Sequence, residues 1–217
     1  MNKEFLKRLL SSIILLPLSF FFIFKGSWFF SFFISICFII TIYEWHMMSR
    51  SKSYKYYGHI FILFSFYSVY FIRNNLGEDS LFIFLLIIIL CISTDIGGYI
   101  FGKIFKGPKL TKISPKKTYA GVLGGYLLAL TSISLFLNYT NFFTKNFITY
   151  GFSEFFLILI ISTISQVGDL IVSYFKRLSK VKDTGKLIPG HGGLLDRIDG
   201  MIFVFPFYFL LNLLKLF

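Results

Sequence analysis

Apolar residues in this chain come in long blocks, without the two-residue alternation of a half-buried strand or the single stripe of a surface helix. They recur from Leu9 to Phe217 with no long polar segment between them. A helix needs about 20 residues to cross the hydrocarbon core of a bilayer. Measured against that length, the blocks predict seven spans, at approximately 9–24, 27–43, 57–72, 81–102, 119–138, 149–172 and 198–216. Only Lys25-Gly26 separates the first two, so these are expected to form either a tight helical hairpin or one span with a re-entrant piece. The expected fold is all-α: a polytopic transmembrane helical bundle, with residues 1–217 forming a single membrane domain. Lys3, Lys7 and Arg8 imitate the charged start of a secretory signal, but no small-residue cleavage site follows and more spans come at once. The first span is therefore expected to be retained.

Composition strengthens this picture. The chain is 56% hydrophobic and 21% aromatic, with a mean hydropathy of +0.75, more apolar than a water-soluble chain of this length can bury. Alternating the loops across seven spans sorts the 22 cationic residues unevenly. Eighteen fall on one side: Lys3, Lys7, Arg8, Arg50, Lys52, Lys55, the six lysines from Lys103 to Lys117, and Lys176, Arg177, Lys180, Lys182, Lys186 and Arg197. Only Lys25, Arg73, Lys145 and Lys215 fall on the other. Cytoplasmic loops are enriched in Lys and Arg, so the amino terminus is expected to be cytoplasmic, with basic loops 44–56, 103–118 and 173–197 on the same side. Glu78, Asp79 and Lys145 are expected to be solvated charges of the short outer loops. The net charge of +12 then reflects a basic cytoplasmic face or a polyanionic substrate, and no nucleic-acid partner is expected. Cys37 and Cys91 lie in apolar runs without metal-ligand spacing and are expected to be buried free thiols.

Carboxylates in apolar spans are costly and usually face a polar cavity. Four occur in or at the cytoplasmic ends of spans. Asp95 lies in Cys91-Ile-Ser-Thr-Asp95-Ile-Gly-Gly98, Asp169 ends Ser165-Gln-Val-Gly-Asp169, and Asp196 and Asp199 sit at i and i+3. Oxygen ligands of this kind suit a hard divalent cation, and Mg²⁺ commonly takes one or two carboxylates together with substrate phosphates. The plainer alternative is local pairing with a neighbouring cation, as of Asp196 with Arg197. Two loops add cations and glycines. One runs from Gly102-Lys103 through Ser114-Pro115-Lys116-Lys117-Thr118 to Gly121; the other holds Lys182-Asp183, Pro189-Gly190-His191-Gly192-Gly193 and Asp196-Arg197-Ile198-Asp199. Glycine admits close backbone approach, and amides beside lysines favour phosphate. The glycines around His191 make a poor helix and a poor strand, so a folded loop over a polar ligand is expected.

The run from Ser173 through Lys176-Arg177, Lys182-Asp183 and Pro189-Gly190-His191-Gly192-Gly193 to Asp196-Arg197-Ile198-Asp199 resembles the signature of the phosphatidate cytidylyltransferases, or CDP-diacylglycerol synthases. Gln166, Gly168 and Asp169, Asp95, Gly102-Lys103, Ser114 to Thr118 and the Glu44-Trp45 pair extend the likeness over most of the chain from about residue 40. Two features depart from the family pattern: Ala120 stands where a Glu is usual, and the chain is short for the family by amino-terminal spans. The resemblance implies an enzyme that transfers a cytidylyl group from CTP to phosphatidic acid in phospholipid biosynthesis. It implies a multi-pass protein of the inner membrane with its site on the cytoplasmic side, and leaves room for a homodimer. It also implies a metal site for Mg²⁺, with room for a second ion, at Asp169, Asp196 and Asp199, with Asp95 a further candidate. Ser173 would position a phosphate oxygen or complete the metal shell. Lys176, Arg177, Lys182 and Arg197 would hold the triphosphate and lipid phosphate beside Asp183. Lys103, Ser114, Lys116 and Lys117 would bind nucleotide, and Gly190, Gly192 and Gly193 would close backbone amides over it. His191 is expected to hydrogen-bond phosphate, because a phosphate monoester needs no general base at neutral pH. Two alternatives stay open: a CTP-dependent transferase acting on another lipid phosphate, and an ion-coupled transporter. The second predicts charges spread through the bilayer depth or an inverted repeat, and the sequence has neither.

Overall fold

The computed structural model describes residues 3–144, 151–187, 190 and 192–215, the side chains from residue 11 onward apart from 12 and 141–144. Its regular structure is helical: α1 (Lys3–Lys25), α2 (Ser27–Met48), α3 (Lys55–Asn75), α4 (Ser80–Phe105), α5 (Tyr119–Thr144), α6 (Phe152–Leu178), α7 (Leu195–Ile198) and α8 (Met201–Leu213). Among the described residues each of the seven expected spans overlaps a helix, and the last is broken between α7 and α8 at Asp199-Gly200. Four segments are long and apolar enough to cross a membrane: α2, α4 with the turn before it (Gly77–Phe105), α5 and α6. The apolar lengths Ile13–Lys25 of α1 and Met201–Leu213 of α8 are shorter. Large apolar side chains such as Trp28, Ile39, Leu63 and Leu135 stand on the surface, where hydrocarbon serves as solvent. The chain is a polytopic helical membrane protein.

The chain forms two compact units, residues 1–81 with 175–217, and residues 82–174. In the first, α2 packs on α1 and α3, and α3 packs on α8. Of the two options at Lys25-Gly26, the structure adopts the helical hairpin. Gly26 makes the turn at φ +63°, a left-handed conformation that costs glycine little. The Arg73 guanidinium of α3 lies against this turn and donates from Nε (3.1 Å) and Nη2 (2.8 Å) to the Ile23 carbonyl, one of the acceptors that a helix end leaves open. A Cβ at Gly26 would stand 2.7 Å from Nη2.

A similar repair joins α3 to α8. Pro206 lies inside α8 and has no N–H for the carbonyl four residues earlier. That carbonyl belongs to Ile202, and Ser65 Oγ of α3 donates to it at 2.7 Å. Aromatic contacts seal the same interface, Phe61 on Phe203 and Phe71 on Phe209. In the second unit glycine brings backbones together. A Cβ at Gly97 of α4 would overlap the Gly124 carbonyl of α5, and one at Gly121 would lie 2.7 Å from the Gly98 carbonyl. Such small-residue crossings let membrane helices approach closely. Thr94 Oγ1 then reaches Ser162 Oγ of α6 at 3.0 Å. Cys91 is buried and Cys37 half-buried, both as free thiols.

Ser65→Ala is expected to lower stability by about 1–3 kcal/mol by leaving the Ile202 carbonyl unsatisfied. Ser68→Ala, whose hydroxyl bonds its own helix at Phe64, should cost less. In a Pro206→Ala background the Ser65→Ala cost should largely vanish, because residue 206 regains its N–H. Unfolding of these variants in detergent measures the difference.

Candidate active site

In the unit of residues 82–174, the loop between α4 and α5 is folded, not slack. Lys106 and Gly107 turn the chain at positive φ. Leu110 N donates to the Lys117 carbonyl at 2.8 Å, Lys117 N donates to the Ser114 carbonyl at 3.0 Å, and an isolated antiparallel bridge joins Lys109 to Thr118. Thr118 Oγ1 accepts from Gly121 N at 3.1 Å and so caps the start of α5. This fold sets Ser114, Lys116 and Lys117 on the wall of a cavity of about 290 Å³. Asp95 of α4 and Asp169 of α6 line the same cavity. Lys117 Nζ lies 2.6 Å from Asp169 Oδ2 and donates to the Gln166 carbonyl at 3.3 Å. Ser173, one helical turn on, donates to Asp169 Oδ1 at 3.2 Å. The cavity thus brings two carboxylates and two lysines together between close-packed helices.

The other unit contains a second cluster. Lys176 Nζ donates to Asp196 Oδ1 at 2.9 Å, with both side chains about nine-tenths buried. Asp196 Oδ2 accepts the backbone N–H of Thr184 (2.8 Å) and of Gly193 (3.1 Å). Burial alone would raise the Asp196 pKa, but Lys176 and these two amides outweigh it and hold the carboxyl below its ordinary value. Glu44 of α2 is 1% exposed. It accepts from Leu194 N at 2.9 Å, Leu195 N at 2.8 Å and Thr184 Oγ1 at 3.1 Å. Trp45 beside it packs edge-on against Phe175 and donates from Nε1 to the Lys55 carbonyl at 3.0 Å. Its ring occupies the space that a Cβ at Gly58 would fill.

The site residues expected from sequence occur in both units. Asp95, Asp169, Ser114, Lys116 and Lys117 share one cavity, with Ser173 bonded to Asp169. Lys176, Asp196 and Gly193 share the other cluster. Asp199 is buried, and its Oδ1 accepts from Gly200 N at 2.9 Å. Gly190 and Gly192 take positive φ, 78° and 88°. Lys182, Asp183 and Arg197 are exposed, and the exposed Arg177 donates to the Val181 carbonyl at 3.2 Å. Lys103 lies over the Tyr99 ring, and Tyr99 lines the cavity. His191 lies outside the described residues, as does Lys145. Sequence reasoning gave no role to Glu44 or Thr184. The signals available were the family likeness of the Glu44-Trp45 pair and an acid at the end of an apolar span.

Among the described residues, no three His, Cys, Asp or Glu side chains gather closely enough to hold a metal ion by themselves. Asp95 and Asp169, facing one cavity, nevertheless fit a hard cation that completes its shell with substrate phosphates and water. Both oxygens of Asp169 are engaged, by Ser173 and Lys117, so a cation there would take the place of Lys117. The two oxygens of Asp196 are likewise engaged, by Lys176 and by two backbone amides.

The fold and the recess together describe a helical membrane protein with two carboxylates and two lysines on one cavity wall. The cytidylyltransferase family model matches residues 6–78 and 58–214. A phosphatidate cytidylyltransferase of Rickettsia typhi is 34% identical over 216 residues, covering 95% of this chain and 91% of the relative. That of Rickettsia bellii is 35% identical over 215 residues, covering 94% and 89%. That of Haemophilus influenzae is 42% identical over 132 residues, covering 59% and 45%. The chain belongs to the cytidylyltransferase family and is a nucleotidyltransferase.

Lys176→Met is expected to destabilise the protein by about 3 kcal/mol, because it leaves the Asp196 charge buried without its partner. Adding Asp196→Asn should recover part of that loss. Unfolding of the single and double variants in detergent checks the coupling.

Proposed function

We propose that this protein transfers the cytidylyl group of CTP to phosphatidic acid, giving CDP-diacylglycerol and pyrophosphate at the cytoplasmic side of a bacterial inner membrane. The observation that carries the reading is the cavity that unites Asp95 and Asp169 with Lys116 and Lys117. The family match and the names of the relatives support it, and the crowding of cations into three loops supports the cytoplasmic placement. Family resemblance also supports a homodimer.

In the reaction a phosphate oxygen of the lipid bonds to the α-phosphorus of CTP as the bond from that phosphorus to the bridging oxygen breaks, and pyrophosphate leaves with the electron pair. Both reactants are polyanions, so their repulsion must be neutralised. Lys116 and Lys117 supply positive charge at the cavity wall. Ser173 orients the Asp169 carboxylate through its hydrogen bond. Asp95 and Asp169 would hold Mg²⁺, which supplies charge neutralisation and orientation of phosphate oxygens when bound. Asp196 keeps Lys176 and the loop after α6 in place. The acyl chains can remain among lipids while the headgroup reacts.

Purified protein in vesicles with CTP, phosphatidic acid and Mg²⁺ is expected to release pyrophosphate. Asp169→Asn should reduce turnover at least about a hundredfold, the scale on which loss of one electrostatic contact in a reacting site is felt, with expression preserved. A near-normal rate in that variant would remove the assignment of Asp169.

A further inference from the structure

Among the described residues Glu44 is the most completely enclosed acid of its unit, and the proposed reaction has no use for it. At 1% exposure it cannot meet a substrate, and both its oxygens are occupied. Oε1 accepts from Leu194 N, while Oε2 accepts from Leu195 N and Thr184 Oγ1. These partners lie 140 or more positions along the chain. The surroundings are shaped to it: a Cβ at Gly185 would lie 2.7 Å from Oε1, and one at Gly193 would overlap Oε2 and the Thr184 hydroxyl. Thr184 joins Glu44 to the second carboxylate, donating its hydroxyl to Glu44 and its N–H to Asp196.

We propose that Glu44 is a positioning residue, which pins Thr184, Leu194 and Leu195, on either side of a glycine-rich stretch, to α2 so that Asp196 holds Lys176 in place for a phosphate-bearing substrate. A segment with several glycines has large conformational freedom to lose, and its described residues before α7 belong to no helix. Its described residues Thr184, Gly193, Leu194 and Leu195 are held by side-chain acceptors, and Glu44 on α2 takes three of the donors. Acting through Asp196 and Lys176, Glu44 touches no reacting atom. The choice of CTP as substrate rests on the function proposed above; the pinning of the loop does not.

The test uses the full-length protein in detergent, comparing Glu44→Gln and Thr184→Val with the unchanged chain. Glutamine keeps the shape but turns an NH₂ group toward backbone donors. Amide hydrogen exchange at Leu194 and Leu195 is expected to accelerate at least about tenfold in Glu44→Gln, the equivalent of one lost hydrogen bond, with α3 and α8 protected as before. The apparent KM for CTP is expected to rise about as much, whereas a loss of folded protein would lower kcat and leave KM alone. Thr184→Val removes one of the three donors, should show the smaller form of both effects, and carries the test if Glu44→Gln does not fold. Unchanged exchange at Leu194 and Leu195 overturns the proposal, as does faster exchange with unchanged KM. If the unchanged protein does not turn over CTP, the proposed function fails while the exchange measurement still decides whether Glu44 holds the loop.

Discussion

Hydrocarbon offers no hydrogen bonds, so each polar group that enters it must find its partner within the protein. That requirement explains the placement of several polar side chains here. Ser65 meets the carbonyl that Pro206 strands, and Arg73 meets the end of α1. Thr94 meets Ser162. Lys117 meets Asp169, and Glu44 takes three donors from the segment 184–195. An apolar helix surface cannot specify which neighbour it packs against, because lipid is as apolar as leucine; these bonds can.

Glycine supplies the complementary means. Where α4 meets α5, bare backbone at Gly97, Gly121 and Gly124 allows contact that any side chain would block. The close approach carries Asp95 to the cavity wall shared with the folded loop of Lys116 and Lys117. Around Glu44, Gly185 and Gly193 make room for a carboxylate instead of for another helix. The same residue type thus builds a helix crossing in one unit and a loop anchor in the other.

Much was legible in the chain before folding. Block length against bilayer thickness located the helices, since a spanning helix must be long and apolar whatever it packs against. Asp95 and Asp169 stood out because acids in apolar runs are costly, and both line the cavity. Asp196 stood out for the same reason, yet its oxygens serve Lys176, Thr184 and Gly193. Charge at a position signals that a partner exists without saying whether it is a cation, a ligand or a backbone amide.

The sequence by itself determined the helical membrane class, the family and the short roster of residues able to do chemistry, because these depend on composition, run length and motif. Tertiary structure alone decided the partners. Glu44 and Thr184 lie 140 positions apart, and no local pattern encodes their meeting, since a hydrogen bond depends on where two atoms come to rest and not on how far apart they stand in the chain.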